Sequence, residues 1–335
     1  MSMLHATGCR TFPMRRVSPM AAVLCAMLAL QCNASAQGYP TKLIHFIVPQ
    51  SPGSATDTVA RMIAQKLSER MGQQVVVDNR AGAGGIIGAE LAAKAAPDGY
   101  TIVIVSATHA VNPSLRHSLP FDPVRSFTPV TLATSQPYVL VAHPSLPART
   151  VKELVALARA HPGQINYASS AAGSLGHLGL EQLKSMAHID MVHVPYKGVI
   201  PALTDVMGGH VSLMFLTLVS GMPQVKAGKL RALAVSAAKR SPAAPEVPTV
   251  AESGFPDFDV RGWYAILAPA NTPAAVVNRL NAEIVVILHT SEVRERLAAD
   301  GSEAVGSTPE QLDRHLKAEI AKWARVIKAA GIKAD

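Results

Sequence analysis

The chain has 335 residues, of which 49% are hydrophobic and 16% charged, and its formal net charge is +8. A chain of this length can bury a core large enough to fold without disulfides. The sequence contains no lysine and arginine cluster with interleaved aromatic residues, which argues against a nucleic-acid partner.

The N-terminal 36 residues have the pattern of an export signal. Arg10, Arg15 and Arg16 form a basic segment, and residues 21–30 form an apolar core that is too short to span a bilayer. The sequence Ala34-Ser35-Ala36 then fits a cleavage site, so we expect cleavage after Ala36 and a periplasmic product. All three cysteines lie within this signal, so the mature chain has no thiol chemistry.

The stretch 43–67 predicts a strand, a loop and a helix. Residues 43–48 form a short apolar run rich in β-branched residues, which is typical of a buried strand. Prolines and glycine then break the run, and Ser54 and Asp57 have the spacing of a helix capping box. Such a loop offers backbone N–H groups and the positive end of a helix dipole to an anion. An ordinary capped turn has the same pattern.

The same strand–loop–helix order recurs along the chain. We predict further strands at residues 74–77, 100–105, 138–143, 165–168, 191–194, 211–215, 230–235 and 260–267. Four prolines predict irregular structure over 112–129, and two long helices that begin after Thr272 and Thr308 close the chain. This alternation predicts an α/β fold with a parallel sheet covered by helices on both faces.

Motifs for catalysis, metals and cofactors are weak. The glycine-rich stretch 82–88 departs from the dinucleotide fingerprint at its third glycine, so we expect a structural turn there and no cofactor. Eleven histidines follow the signal, but none has close metal-ligand spacing, so we expect no metal. The G-x-S-x-G motif is absent, and no nucleophile, base and orienting group occur together. We therefore expect no catalytic residue and a protein that binds without chemistry.

Small polar loops follow several of the predicted strands. In open α/β sheets ligands bind at the carboxyl ends of strands, and two α/β sets would form a cleft there. The candidate ligand-binding residues are Ser51, Gly53, Ser54, Ala55, Thr56, Ser106, Thr108, His109, Ser169, Ser170, Gly173, Ser174, His177, Tyr196 and Thr217.

Many motifs follow one another in a defined order between residues 39 and 332. They include YPTKLIHFIVPQSPGSATDTVARMIAQKL, NRAGAGGIIGAE, INYASSAAGSLGHL, VHVPYKG and VPTVAESG. In this order the chain resembles the Bug/TctC proteins, the extracytoplasmic solute receptors of tripartite tricarboxylate transporters.

The resemblance implies a type II periplasmic-binding-protein fold. Residues 37–140 and 262–335 would form one α/β domain and residues 141–261 the other, joined by crossing strands near 138–141 and 260–264. Backbone amides and ordered waters in the cleft between them would bind a small carboxylate. The resemblance also implies a monomer without cofactor that contacts membrane transporter subunits transiently.

The sequence departs from the family pattern at three places. Ser54 replaces a common glycine, Ile86 follows the glycine-rich loop where asparagine is frequent, and Leu216-Thr217 replaces an acidic residue and asparagine. An acid at 216 would pair with a ligand ammonium, so we expect a purely anionic or more apolar carboxylate instead of an amino acid. Two alternatives stay open: an exported hydrolase or isomerase that uses His109 or His177 as base, and a ligand-sensing partner of a membrane kinase.

Overall fold

A ten-stranded mixed sheet organises the part of the chain that the computed structural model describes, residues 38–299 and 301–332. The predicted signal and its cleavage site lie outside the described residues. The strands are β1 (Ile44–Val48), β2 (Val75–Asn79), β3 (Thr101–Ser106), β4 (Phe127–Ala142), β5 (Asn166–Ser169), β6 (Val192–Pro195), β7 (Leu213–Thr217), β8 (Arg231–Val235), β9 (Arg261–Pro269) and β10 (Glu303–Ala304). They all belong to one unit that starts at Lys42.

Helices follow most of these strands. They are α1 (Ala55–Met71), α2 (Ile86–Ala93), α3 (Thr108–Leu115), α4 (Val151–Ala160), α5 (Leu175–Ala187), α6 (Val199–Met207), α7 (Leu218–Lys226), α8 (Ala274–Leu288), α9 (Ser291–Ala299) and α10 (Pro309–Ala329). Among the described residues, none of the helices combines the length and the apolar character needed to cross a membrane.

Helix ends agree with the sequence signals where those signals are local. Helix α10 begins with the predicted capping box, in which Thr308 and Gln311 bind each other's backbone N–H groups. Helix α8 begins one residue later than predicted, because Pro273 is its N-cap and the Thr272 hydroxyl donates to the carbonyl of Pro269 at 2.8 Å. Helices α3, α7 and α9 were not predicted.

The sheet has the strand order β2-β1-β3-β9-β4-β7-β5-β6, with β8 and β10 both paired to β4. Its two ends are parallel, as predicted. The prediction of a parallel sheet is wrong in the middle, where β9 and β4 run antiparallel to their neighbours. The sheet therefore consists of two parallel α/β segments joined by an antiparallel centre.

Strand β4 is longer than the sequence indicates. We predicted a strand over 138–143 and irregular structure over 112–129, but α3 extends to Leu115 and β4 starts at Phe127. The ladder with β9 shifts register between Pro129 and Thr131, so one of the misleading prolines lies at an irregularity of the pairing. Residues 127–137 pair with β9, whereas 138–142 pair with β7 and β8, so two halves of the sheet share this strand.

Ser236, directly after β8, connects the two segments that we predicted to cross between domains. Its N–H donates to the carbonyl of Tyr138 and its hydroxyl oxygen accepts from the Tyr138 N–H, both at 2.8 Å. On the other side, the Val260 N–H donates to the carbonyl of Ser236 at 2.9 Å, and the Ser236 hydroxyl donates to the carbonyl of Val260. The division into two domains stays a prediction. Ser236 lies between the two segments that would cross from one predicted domain to the other.

Candidate functional site

The first loop, residues 49–57, joins β1 to α1. Ser54 is the N-cap, and its hydroxyl oxygen accepts from the Asp57 N–H at 3.3 Å. The predicted second half of the capping box is wrong, because the Asp57 carboxylate accepts from the N–H of Gly53 at 2.9 Å instead of from the cap residue. The Asp57 carboxylate therefore bonds to Gly53, the residue before the N-cap, and not to the N-cap Ser54.

The Asp57 carboxylate is buried and held by three donors. Besides Gly53, the Arg61 Nε and the Asn79 Nδ2 donate to it, each at 2.9 Å. Burial alone would raise the pKa of Asp57, but the hydrogen bonds from Arg61, Gly53 and Asn79 hold this pKa below its ordinary value. The Gly53 N–H is thus used within the chain. The amides of Ala55 and Thr56 have no acceptor among the described residues.

A narrow pocket lies between the first loop and the end of β3. It is lined by Ser106, Thr108 and His109, three predicted site residues, together with Gln50 and Asn112. The Ser106 and Thr108 hydroxyl oxygens are 2.8 Å apart. The sequence analysis missed Gln50, whose Oε1 is buried and has no hydrogen-bond partner in the described part of the chain. Its position beside two prolines in a predicted binding loop was the available signal.

His109 is buried within this region. Its Nε2–H donates to the carbonyl of Pro123 at 2.8 Å. The ring stacks on Phe121 and meets Phe127 edge-on. Burial lowers the pKa of His109, so the imidazole is neutral at pH 7.

The second loop, residues 169–177, joins β5 to α5 and repeats the arrangement of the first. Ser174 is the N-cap and accepts from the His177 N–H at 3.4 Å. The N–H of Gly173 donates to the His177 Nδ1 at 3.0 Å, as that of Gly53 donates to Asp57. Both loops therefore carry the pattern Gly-Ser-x-x-acceptor, and the amides of Leu175 and Gly176 have no acceptor among the described residues.

His177 lies in a cluster of aromatic and charged side chains. Its ring stacks on His193 with centroids 3.8 Å apart, and its Nε2 is 4.0 Å from Glu181. Burial, and then the neighbouring His193, lower the pKa of His177 to about 4. The ring is therefore neutral at pH 7, and the unprotonated Nδ1 can accept from the Gly173 amide.

Ser169 and His193 are close enough to suggest a nucleophile and its base. The Ser169 Oγ lies 2.7 Å from the His193 Nε2. However, the serine hydroxyl donates to the carbonyl of Ala171 at 2.9 Å, so the histidine N–H must be the donor to Ser169. A base would have to accept that proton, so this geometry does not activate the serine.

The other predicted residues of the second set lie beside this loop. The Tyr196 N–H donates to the carbonyl of Ser169 at 3.0 Å, and the Gly198 N–H donates to that of Ser170 at 2.9 Å. The Tyr196 hydroxyl donates to Asp205, and this hydrogen bond raises the pKa of Tyr196 to about 12. Thr217 lies opposite Tyr138 in the ladder, and its hydroxyl donates to Ser220 at 3.1 Å.

Gly173 brings the second loop against the end of α3. Its φ of +75° favours glycine, and a Cβ atom at this position would lie 2.6 Å from the Cδ1 of Leu115. Because α3 begins at Thr108, the second loop approaches the helix that carries the first set of polar residues. The fifteen predicted contacts to a ligand stay a prediction. In the described residues no group of three or more His, Cys, Asp or Glu side chains could hold a metal ion.

Two parallel α/β segments thus share strand β4, and each contains a helix capped by a serine, Ser54 or Ser174. Residues 59–332 match the family described as tripartite tricarboxylate transporter family receptor, TctC. The chain belongs to this family, which confirms the resemblance found from its motifs. Members of the family are periplasmic solute-binding receptors.

Individual relatives cover almost the whole chain. Protein BugT of Bordetella pertussis is 38% identical over 324 residues, which are 96% of this chain and 99% of BugT. A structure titled as R. palustris Rpa4515 with adipate is 38% identical, with a TM-score of 0.72 over 89% of this chain and all of that one. MatC from Rhodopseudomonas palustris with bound malate is 33% identical, with a TM-score of 0.68 over 86% of this chain and all of MatC. These likenesses confirm the predicted fold class.

Proposed function

We propose that the protein is a periplasmic receptor that captures a small dicarboxylate in the cleft between two domains and delivers it to the membrane subunits of a tripartite tricarboxylate-type transporter. The observation that carries this proposal is the pair of solved relatives that contain adipate and malate. Both ligands are small dicarboxylates, and both relatives are similar to this chain over nearly its full length.

The geometry of the two loops supports the same ligand class. Each loop ends in a helix whose first two amides have no acceptor in the described chain, Ala55 and Thr56 in α1, Leu175 and Gly176 in α5. A helix N-terminus stabilises an anion through these N–H groups and the helix dipole. Two such N-termini suit a ligand with a carboxylate at each end. Ordered waters can complete the contacts at little cost in affinity.

The apolar residue at position 216 favours a dicarboxylate over an amino acid. Leu216 is buried in an apolar cluster with Val139 and Met222, so position 216 offers no carboxylate to a ligand ammonium. Backbone donors recognise a carboxylate without reading the rest of the ligand. The receptor therefore accepts dicarboxylates of different chain length.

Proline substitutions at the first helical position test this proposal without disturbing the helix. Ala55→Pro and Leu175→Pro each remove one N–H donor at a position where proline is tolerated, because the preceding residue is extended. We expect each to weaken adipate or malate binding by calorimetry about tenfold, the value of one charge-assisted hydrogen bond. Ala274→Pro, at the start of α8, is the matched control and keeps wild-type affinity.

Three results would contradict the proposal. They are the absence of any dicarboxylate that raises the melting temperature, tighter binding of glutamate or aspartate than of malate, and unchanged affinity in both proline variants. A ligand that binds only the folded state must raise stability by mass action. Chemical conversion of the ligand during incubation would favour the hydrolase or isomerase alternative, in which His109 or His177 acts as base.

A ligand-sensing partner of a membrane kinase would use the same fold and the same cleft. The two roles separate in membrane vesicles that contain the transporter subunits. Uptake of labelled ligand that depends on the added receptor supports transport, and binding without uptake contradicts the transporter half of the proposal.

A further inference from the structure

A second cavity, of about 610 Å³, lies away from both loops. Its walls are the C-terminal half of α5 and one face of α10, and its floor is the segment 257–263 that leads into β9. The sequence analysis assigned no function to these residues. The cavity is large enough for a small organic molecule and several waters.

A satisfied polar network around a buried carboxylate joins the α10 wall to the floor of the cavity. Glu319 accepts from the indole N–H of Trp263 at 3.1 Å and from that of Trp323 at 3.0 Å. Lys322 donates to the other carboxylate oxygen and, at 3.0 Å, to the carbonyl of Asp259. These bonds hold the side chains of the floor in one arrangement.

Two polar atoms beside this network lack a partner. Gln182 is only 8% exposed and lines the cavity, yet its Oε1 has no hydrogen-bond partner in the described chain. The Nε2 of His315, also on the wall, is buried and equally unpaired there. An unsatisfied buried polar group is destabilising, so a molecule that binds there and completes both hydrogen bonds is stabilised by them.

The charges around the cavity have both signs. Arg325 and Asp257 line it, and neither forms an ion pair among the described residues, whereas Arg261 and Lys322 are paired with Asp259 and Glu319. Asp257 would repel a ligand that carries only negative charge, and Arg325 would repel one that carries only positive charge. A molecule with one group of each sign satisfies both.

We propose that this cavity is a second binding site, for a small zwitterion of the amino-acid class. The carboxylate of the ligand binds Arg325 and the His315 N–H, and its ammonium or amide groups donate to Asp257 and the Gln182 Oε1. The site is separate from the two loops, so it does not depend on the proposed dicarboxylate function.

Tryptophan fluorescence gives a specific readout. The chain has two tryptophans, and both donate to Glu319, which lines the cavity. With L-glutamine as the probe, we expect a saturable fluorescence change with a Kd of about 1 mM or tighter. Butyrate and putrescine, which each carry charge of one sign and are not dicarboxylates, should bind more weakly.

Variants of one side chain test the assignment. Gln182→Met keeps the size and helical preference of the residue but removes the acceptor, so it should weaken L-glutamine binding about fivefold or more. Gln224→Met, on α7 and outside the cavity, is the matched control and should leave the titration unchanged. The dicarboxylate-site variant Ala55→Pro should also leave it unchanged, which separates the two sites.

Three results would overturn the second site. They are no saturable fluorescence change with L-glutamine, equal affinity in the Gln182→Met variant, and equal binding of butyrate. The first would mean that the cavity holds water only, and the last that it accepts any anion. Each result leaves the dicarboxylate test at the two loops intact.

Discussion

The first and second loops can be compared position by position. Each has a glycine whose N–H donates to the residue four positions later, and a serine N-cap that accepts from the same residue's N–H. The acceptor is the carboxylate of Asp57 in one loop and the neutral ring of His177 in the other. One backbone arrangement thus occurs with two acceptors of different charge.

The two loops differ in the protonation state that their acceptor requires. Asp57 accepts from all three of its donors only while it is ionised, and Arg61 and Asn79 favour that state. His177 accepts only while it is unprotonated, and burial beside His193 favours that state. Acidification therefore removes the acceptor in the second loop and weakens that in the first, over different pH ranges. Four predictions test the comparison, from the largest expected effect to the smallest.

Loss of the charged acceptor should have the largest effect. Asp57→Ala removes a buried acceptor from the Gly53 N–H and one partner each from Arg61 and Asn79, so we expect a loss of about 3–4 kcal/mol in the free energy of unfolding by urea denaturation. Asp57→Asn keeps an acceptor for the Gly53 amide and should lose less. Equal damage from alanine and asparagine would show that the charge matters more than the cap.

Acid should destabilise the second loop before the first. The folded pKa of His177, about 4, lies below its ordinary 6.5, so between these values the unfolded chain binds a proton that the folded chain does not. Stability is therefore full above pH 6.5 and falls by up to about 3 kcal/mol as the pH drops towards 4. The contribution of Asp57, whose folded pKa is lowered, disappears only below its ordinary 3.8.

His177→Gln provides the control for this pH dependence. Glutamine can accept from the Gly173 amide but does not titrate, so the slope of unfolding free energy between pH 6.5 and pH 4 should flatten. A variant that keeps the wild-type slope would assign the pH dependence to other groups.

The two serine caps should contribute equally. Ser54→Ala and Ser174→Ala each remove a hydroxyl that accepts from one N–H, which costs about 1 kcal/mol at an N-cap. Urea denaturation of both variants at pH 7 measures this. A cost more than about twofold larger in one loop would mean that the two arrangements are not energetically equivalent.

Ser54→Gly should have the smallest effect. Glycine at an N-cap costs only a few tenths of a kcal/mol, and the amides of Ala55 and Thr56 remain in place. We expect dicarboxylate affinity by calorimetry to change by less than about threefold. A larger loss would show that the Ser54 hydroxyl itself contacts the ligand.

The sequence predicted those parts of the molecule whose signals lie close together in the chain. Ser54 and Asp57 are three residues apart, so the cap of α1 was readable, although the partner of the carboxylate was displaced by one residue. Ser174 and His177 have the same spacing, but histidine is not a usual capping acceptor. Its role depends on the neutral form that burial maintains.

Features built from distant residues could not be predicted in the same way. The second cavity combines Gln182, Trp263 and His315, and their missing hydrogen bonds are visible only once the helices are packed. The first half of β4 was missed because four prolines, the last of them Pro129, predicted irregular structure over 112–129. Pairing with β9 overrides that local preference.

The small side chain of Ser236 forms hydrogen bonds to both of the segments predicted to cross between the domains. Its hydroxyl is at once acceptor for the Tyr138 N–H and donor to the Val260 carbonyl, and the residue is fully buried. Alanine at this position would leave the Tyr138 N–H and the Val260 carbonyl without this partner. Valine would do the same and would add bulk. Any replacement without a hydroxyl therefore leaves two buried backbone groups without these bonds, whereas threonine keeps the same bonding capacity.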